Sequence, residues 1–253
     1  MAQVLNGKVA VITGGARGVG FGIATTFIRE GAVVVITGRE DDDLQSACAK
    51  LGENAFGTVA DAGSPSGMDR LLKDVKARHG RLDILVANAV VGEHAPLGAI
   101  TEDQVDKMID VNFKGIVFAI QSAVPLMTET GSVIMIGSTA SVEPPAGMGV
   151  YGGLKAALRG CMRAWIKDVK GTGIRINLLS PGAVDTPSLR SASAKAGGEG
   201  KVEAIIQSIR DRHPAGRIGE PDEIGKAAVF LASEASSYVN GLEMFVDGGL
   251  TTV

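Results

Sequence analysis

The pentapeptide Tyr151-Gly152-Gly153-Leu154-Lys155 has the clearest chemical potential in this chain. On a helix, its i,i+4 spacing puts the phenol and the ammonium on one face, a turn apart. An ammonium near a phenol favours the phenolate, so the spacing predicts a pKa brought down from about 10 toward working pH. Such a phenol passes a proton to or from an alcohol or carbonyl oxygen. One Tyr-x-x-x-Lys match arises by chance in roughly one chain in ten of this composition, so the motif needs corroboration. Ser138 provides some: it lies thirteen residues upstream, just after an apolar run, where a hydroxyl can hydrogen-bond the same substrate oxygen.

A second cluster, Thr13-Gly14-Gly15-Ala16-Arg17-Gly18-Val19-Gly20, follows the first apolar run directly. Glycines here let backbone amides approach a pyrophosphate, and the N-terminus of the following helix adds partial positive charge. The spacing is neither G-x-G-x-x-G, since Ile23 holds the last place, nor a Walker loop, since no Gly-Lys-Ser/Thr follows. Alone, it also fits a tight turn that binds nothing. The second apolar run ends Ile36-Thr37-Gly38-Arg39. An acid at this strand end holds the adenosine ribose 2′-hydroxyl in dinucleotide folds. Gly38 stands there instead, and Arg17 and Arg39 suit a phosphate, which favours NADP(H) over NAD(H). Asp41, Asp42 and Asp43 either compete for these arginines or start the next helix.

Regular alternation of elements must position these groups. Strand-like runs at 9–13, 33–37, 55–59, 84–87, 132–136, 175–179 and 244–246 are rich in Val and Ile. Several lack alternation, as strands covered on both faces do. Helix-like stretches lie at 18–30, 42–51, 66–79, 102–127, 151–170 and 221–233. The pattern predicts an α/β fold, a Rossmann-type doubly wound parallel sheet of seven strands with helices on both faces, as a single domain over 1–253. Segment 187–219 breaks the rhythm. It is rich in Ser, Ala, Gly and Lys, with a helix-like piece at 201–212, and is expected to be a flexible substrate-binding lid.

The 253 residues suffice for one large core, and the 35 glycines are about twice the usual share of roughly 7%. Net charge is −3 with no dense basic block, so the footprint of a nucleic-acid or anionic-membrane partner is missing. No signal peptide and no 18-residue apolar span are expected, which points to the cytoplasm. Cys48 and Cys161 read as reduced thiols, and His79, His94 and His213 lack metal-ligand spacing.

In order and separation, the Thr13–Gly20 loop, Asp61, Asn88-Ala89, Asn112, Ser138, Tyr151, Lys155, Pro181-Gly182 and the closing Val246-Asp247-Gly248-Gly249 resemble the short-chain dehydrogenase/reductase family, across residues 8–249. The 36–39 stretch is similar to that of NADP-dependent secondary-alcohol dehydrogenases and carbonyl reductases. The resemblance implies a hydride transfer between NADP(H) and a ketone or secondary alcohol. Tyr151 would be the general acid or base. Lys155 would hold the nicotinamide ribose and tune Tyr151, Ser138 would position the carbonyl, and Asn112 would sit at a helix irregularity and hold a water linking Lys155 to solvent.

The cofactor would lie against Gly14, Arg17, Gly18, Val19, Gly20, Gly38, Arg39, Asp61, Ala62, Asn88, Ala89, Tyr151, Lys155, Pro181, Gly182, Val184 and Thr186, with Thr186 on the carboxamide. Val90, His94, Val142, Glu143, Met148, Val150, Ala183 and Leu189 would line a mostly apolar substrate pocket. Family members form tetramers through the helices near 102–127 and 151–170, where Trp165 and Met162 suit either an interface or the core. Two departures stand out. Val90 replaces a family glycine, where a β-branched residue would resist positive φ and add bulk, and Gly152-Gly153 cost helix propensity, about 1 kcal/mol each. The rival readings are a 3-oxoacyl-[acyl-carrier-protein] reductase, with Arg190, Lys195 and Lys201 docking an acidic carrier, and a non-catalytic NADP(H) sensor.

Overall fold

Seven strands, β1 (Val9–Ile12), β2 (Val33–Gly38), β3 (Ala55–Val59), β4 (Ile84–Ala87), β5 (Ser132–Ile136), β6 (Arg175–Pro181) and β7 (Glu243–Val246), form one parallel sheet in the order β3-β2-β1-β4-β5-β6-β7. They belong to a computed structural model that describes residues 3–252, apart from the side chains at 196 and 197. β1, β4, β5 and β6 are buried along their whole length, which explains their unbroken apolar runs. Their side chains still alternate between two cores. Val9, Val11, Leu85 and Met135 meet α3 (Pro65–His79), α5 (Gly115–Ala123) and α6 (Gly149–Asp168). Ala10, Ile12, Val86 and Ile134 meet α1 (Gly18–Arg29), α2 (Asp41–Leu51) and α9 (Pro221–Ala232).

The chain runs outward from β1 to β3, then returns to place β4 against the other edge of β1. Ligands of open α/β sheets bind at such a reversal, beyond the carboxyl ends of the strands.

Two expectations need correction. The helix at 102–127 is not uniform: α4 (Glu102–Ile109) passes through a π-helical turn at Asp110–Lys114 before α5 and ends in a 3₁₀ turn at Val124–Leu126. Its 25-residue run Glu102–Leu126 is apolar enough over one window to cross a bilayer by composition, but its apolar stripe of Ile116, Ala119, Ile120 and Ala123 is core. Segment 187–219 is not a plain flexible stretch. It folds into α7 (Pro187–Gly197) and α8 (Val202–Asp211), joined by Arg190, which donates to both oxygens of Asp185 and to Glu203. Of the two roles left open for Met162 and Trp165, the core is the one observed: Met162 is buried in it and Trp165 packs against the same cluster.

At the amino ends of the strands, the buried Asp83 carboxylate accepts from Val9 N (2.9 Å), from Nε and Nη2 of Arg81 (both 2.7 Å) and from Thr128 Oγ1 (3.1 Å). Burial pushes this carboxyl up, but the Arg81 fork and the Val9 amide outweigh it and hold the group below its ordinary value. Its contribution is therefore present above the unfolded pKa of about 3.9 and lost as pH falls through the lower folded value. Asp83→Asn removes the charged acceptor of Val9 N, Thr128 and the half-exposed Arg81, so we expect a loss of about 2 kcal/mol at pH 7 and a smaller deficit at pH 3. Denaturant unfolding at the two pH values checks this, and equal wild-type and variant stability at pH 7 would refute it.

Candidate active site

The glycine loop is tied to the end of β4. Asn88 Nδ2 donates to the carbonyls of Thr13 (2.8 Å) and Gly14 (3.0 Å), while Thr13 Oγ1 accepts from the amides of Asn88 (2.9 Å) and Ala89 (3.0 Å). Gly14 has φ +64°, a conformation that suits glycine. A Cβ on Gly20 would stand 2.4 Å from Gly14 O and 2.5 Å from Asn88 Nδ2. The loop therefore keeps a bare backbone concavity leading into α1, whose N-cap Arg17 makes no side-chain cap. Asn88 acts here as a brace, and Thr13, which the sequence reading did not single out, is its partner.

A cleft of about 310 Å³ opens at the strand reversal. Its walls include Gly14, Arg17, Gly18, Val19, Gly20, Gly38, Arg39, Asp61, Ala62, Asn88, Ala89, Val90 and Thr186. The structure thus brings most of the expected cofactor residues to one hollow. Thr37 and Asp43 also face it, and the buried Thr37 Oγ1 has no hydrogen-bond partner. Among the described residues neither Arg17 nor Arg39 makes an ion pair with Asp41, Asp42 or Asp43, which form the first turn of α2. A bare cradle, an orphaned hydroxyl and two guanidiniums without an ion pair fit the phosphates of a dinucleotide.

Five expected cofactor residues stand apart from the cleft wall: Tyr151 and Lys155 on α6, and Pro181, Gly182 and Val184. Pro181 ends β6, and Gly182 donates to Val246 O (3.1 Å), where a Cβ would meet Asp247 Cα at 2.9 Å. Val184 turns its side chain into the core beside α1 and α9, which leaves only its backbone for a ligand.

The proton-transfer group sits one strand further along the same edge. Ser138 follows β5 and caps a 3₁₀ turn at Thr139–Ser141 by accepting from Ala140 N (3.1 Å). The same hydroxyl is close enough to the Tyr151 phenol to act on its ionisation. Lys155 is fully buried one turn along α6; it donates to Ile136 O at 2.6 Å, with Nζ 5.8 Å from the Tyr151 ring centre. None of the three lines the 310 Å³ cleft. Burial pushes the Lys155 ammonium down to about 8. Burial also pushes the Tyr151 phenol up, with the Ser138 hydroxyl opposing. The expected acidification by Lys155 is thus reversed, because desolvation exceeds the effect of an ammonium engaged with a backbone carbonyl.

Gly152, unexplained by sequence, is required by packing. A Cβ there would lie 2.6 Å from Ala140 O and 2.8 Å from Pro144 Cβ, so the glycine lets α6 close on the Ser138 turn. A Cβ on Gly153 would meet nothing within 4 Å.

Asn112 lies in the π-helical turn, at the irregularity the resemblance implied. Both groups of its buried amide are engaged with Val91: Oδ1 accepts from Val91 N (2.8 Å) and Nδ2 donates to Val91 O (2.7 Å). A water relay would therefore use its backbone rather than its side chain. The clamp also sets the course of the segment after β4, and Val90 adopts no positive φ. The expected backbone strain at Val90 is absent, and its effect reduces to bulk at the cleft wall.

The pocket candidates lie on three segments, and of them only Val90 lines the cleft. His94 occupies the space beside Gly147, and Ala95 N donates to Gly147 O (2.9 Å), which joins the segments after β4 and β5. Met148 precedes α6 and reaches toward Gly92, while Val142 is exposed. Val150 lies half-buried in the first turn of α6. Glu143 is held at 3.2 Å by Arg212, just after α8. Ala183 O accepts from Gly219 N, and Leu189 sits in the first turn of α7, its amide capped by Thr186 Oγ1.

The family model described as Enoyl-(Acyl carrier protein) reductase matches residues 14–251. Oxidoreductase asL5 of Sarocladium schorii is 42% identical over 99% of this chain and 98% of its own length. Dehydrogenase/reductase SDR family member 4 of Oryctolagus cuniculus is 35% identical over 97% of this chain and 94% of its own. The 3-oxoacyl-[acyl-carrier-protein] reductase FabG of Thermotoga maritima is 32% identical over 97% and 98%.

Proposed function

The chain belongs to the short-chain dehydrogenase/reductase family, and from that premise we propose that it is an NADP(H)-linked reductase of ketones and dehydrogenase of secondary alcohols. One observation carries the reading: Ser138 just after β5 and Tyr151 at the start of α6 lie together, with Lys155 one turn on and its Nζ 5.8 Å from the Tyr151 ring centre, at the strand edge that holds the cleft. A proton donor paired with a second hydroxyl suits an oxygen acceptor. A bound nicotinamide supplies or accepts the hydride. Tyr151 delivers the proton to the carbonyl oxygen in reduction, and Ser138 donates a second hydrogen bond to that oxygen. Lys155 keeps positive charge beside the reacting oxygen while it stays protonated.

Arg17, Arg39 and Gly38 support NADP(H) over NAD(H). The largely apolar surroundings of Val90, Val142, Met148 and Leu189 suit a small carbonyl substrate with an apolar substituent. In this reading α7 and α8 form the substrate lid, clasped by Arg212 and Glu143. The protein acts in the cytoplasm as a homotetramer through α4–α5 and α6, without nucleic-acid or membrane partners.

A spectrophotometric screen of NADPH oxidation against ketones, diketones, keto esters and 3-oxoacyl thioesters tests the reading. Carbonyl-dependent oxidation of the cofactor is expected, and none with either NADPH or NADH would overturn it. The FabG relatives favour the thioester reading. Against it, Arg190 is already occupied by Asp185 and Glu203, which leaves Lys195 and Lys201 of the expected docking patch. If carrier-bound 3-oxoacyl groups are reduced far faster than the free thioesters, the carrier-protein reading prevails.

The Lys155 shift gives a pH prediction. The kcat/KM for NADPH reports the free enzyme. It is expected to fall by a single-proton step above about pH 8, and Lys155→Arg, which stays charged, is expected to abolish that step. A limb that persists unchanged in the arginine variant would assign the titration elsewhere.

A further inference from the structure

Behind the Ser138 turn lies a closed polar ring that the proton-transfer chemistry does not use. Glu243, on β7, has a side chain only 9% exposed. Its Oε1 accepts from Ser141 Oγ (3.0 Å) and from Ser180 Oγ (2.8 Å), and its Oε2 accepts from Arg159 Nε. Arg159 Nη2 donates back to Ser141 Oγ at 3.1 Å, which closes the ring. Four elements meet in it: β7, the end of β6, the 3₁₀ turn after Ser138, and α6 one turn beyond Lys155. The room is tight, since a Cβ on Gly137 would fall 2.1 Å from Ser180 Oγ.

A half-buried carboxylate on a strand costs desolvation and is retained at a profit only when its partners are well placed. A satisfied polar ring is also more rigid than the apolar contacts it replaces. Ser141 is the last residue of the turn that begins at Ser138, and Arg159 shares a helix face with Tyr151 and Lys155 at i+8 and i+4. Fixing Ser141 to Arg159 therefore fixes the Ser138 hydroxyl relative to the Tyr151 phenol from the side opposite the cleft.

We propose that Glu243 and Arg159 are positioning residues, which act through Ser141 to hold Ser138 in register with Tyr151. They touch neither substrate nor cofactor. The proposal rests on the reading of Ser138 and Tyr151 as the proton-transfer pair, and its test keeps the two separable.

The chain has only two tyrosines, Tyr151 and the fully exposed Tyr238. In a Tyr238→Phe background, ultraviolet titration near 295 nm reads the ionisation of Tyr151 alone, without any substrate. Ser138→Ala sets the full effect of losing that hydroxyl, an upward shift. Ser141→Ala is charge-neutral and keeps the Ser138 hydroxyl in the chain but frees it from the ring; it is expected to shift Tyr151 upward by a measurable part of that amount.

In parallel, Glu243→Gln and Arg159→Met are expected to lower kcat about tenfold, with NADPH affinity by fluorescence within twofold of wild type. Arg159→Lys, which restores one charged contact, is expected to recover part of the rate. An unshifted Tyr151 titration in Ser141→Ala, or kcat within twofold of wild type in both ring variants, overturns the proposal. So does a rate loss matched by an equal loss of NADPH binding, since that marks a general structural role. If the wild type reduces no carbonyl, the functional reading fails while the titration still decides the ring.

Discussion

Tyr151→Phe is expected to lower kcat for carbonyl reduction by roughly 10²–10⁴-fold, the range that a positioned general acid contributes, while NADPH affinity stays within about twofold. The argument is local. The substitution deletes one oxygen and leaves the ring whose face lies 5.8 Å from Lys155 Nζ. Lys155 keeps its bond to Ile136 O, and Ser138 keeps its capping bond to Ala140 N, so neither the turn nor α6 loses its anchors. The dinucleotide cleft is lined by other residues, so binding should be spared. A sensor of the NADPH/NADP ratio would keep its response in this variant, whereas an enzyme loses turnover. Stopped-flow reduction combined with fluorescence titration of NADPH separates the two, and a variant that retains more than half the wild-type kcat would remove Tyr151 from the chemistry.

The parts of this fold written most plainly in the sequence are those fixed by burial on both sides. β4 and β5 fall at the expected residues because an unbroken Val/Ile/Leu run has no other comfortable place. The glycine loop was legible for a related reason: only missing side chains allow Gly20 to sit against Gly14 O.

Contacts between distant segments were not legible. Nothing in the residues near Thr13 announces that its hydroxyl will cap the amides of Asn88 and Ala89, or that Asn112 will spend its amide on Val91. Gly115 is a similar case, required because a Cβ would stand 2.1 Å from Ala62 O. Electrostatics were misjudged where burial competes with charge. The spacing of Tyr151 and Lys155 shows an ammonium near a phenol, but not that Ile136 O will take the ammonium or that desolvation will lift the phenol. The helix-like piece at 201–212 appears as α8, but the Ser- and Gly-rich composition hid α7, because the fork that joins it to α8, Arg190 to Asp185 and Glu203, is a tertiary feature.

Gly38→Asp is expected to reverse the nucleotide preference. The position closes β2 and lines the cleft beside Arg39. A Cβ there meets Leu44 side-chain carbons at 3.4 Å, an ordinary contact, and the backbone lies outside the positive-φ region, so the variant should fold. The new carboxylate can accept from a ribose 2′-hydroxyl and would repel a 2′-phosphate, while also competing for the free guanidiniums of Arg17 and Arg39. Each charge-assisted phosphate contact is worth about 1.5–3 kcal/mol, and about 1.4 kcal/mol is tenfold in affinity. Loss of one such contact together with the added repulsion should lower the NADPH-to-NADH ratio of kcat/KM by about 100-fold. Most of the change should appear in KM, because hydride transfer takes place at the far end of the cofactor. Tyr151→Phe should show the opposite division, with kcat falling and nucleotide affinity kept, so the pair of variants assigns the two ends of the cleft independently. A wild-type enzyme that already turns over faster with limiting NADH than with limiting NADPH would show that the two arginines do not hold a phosphate.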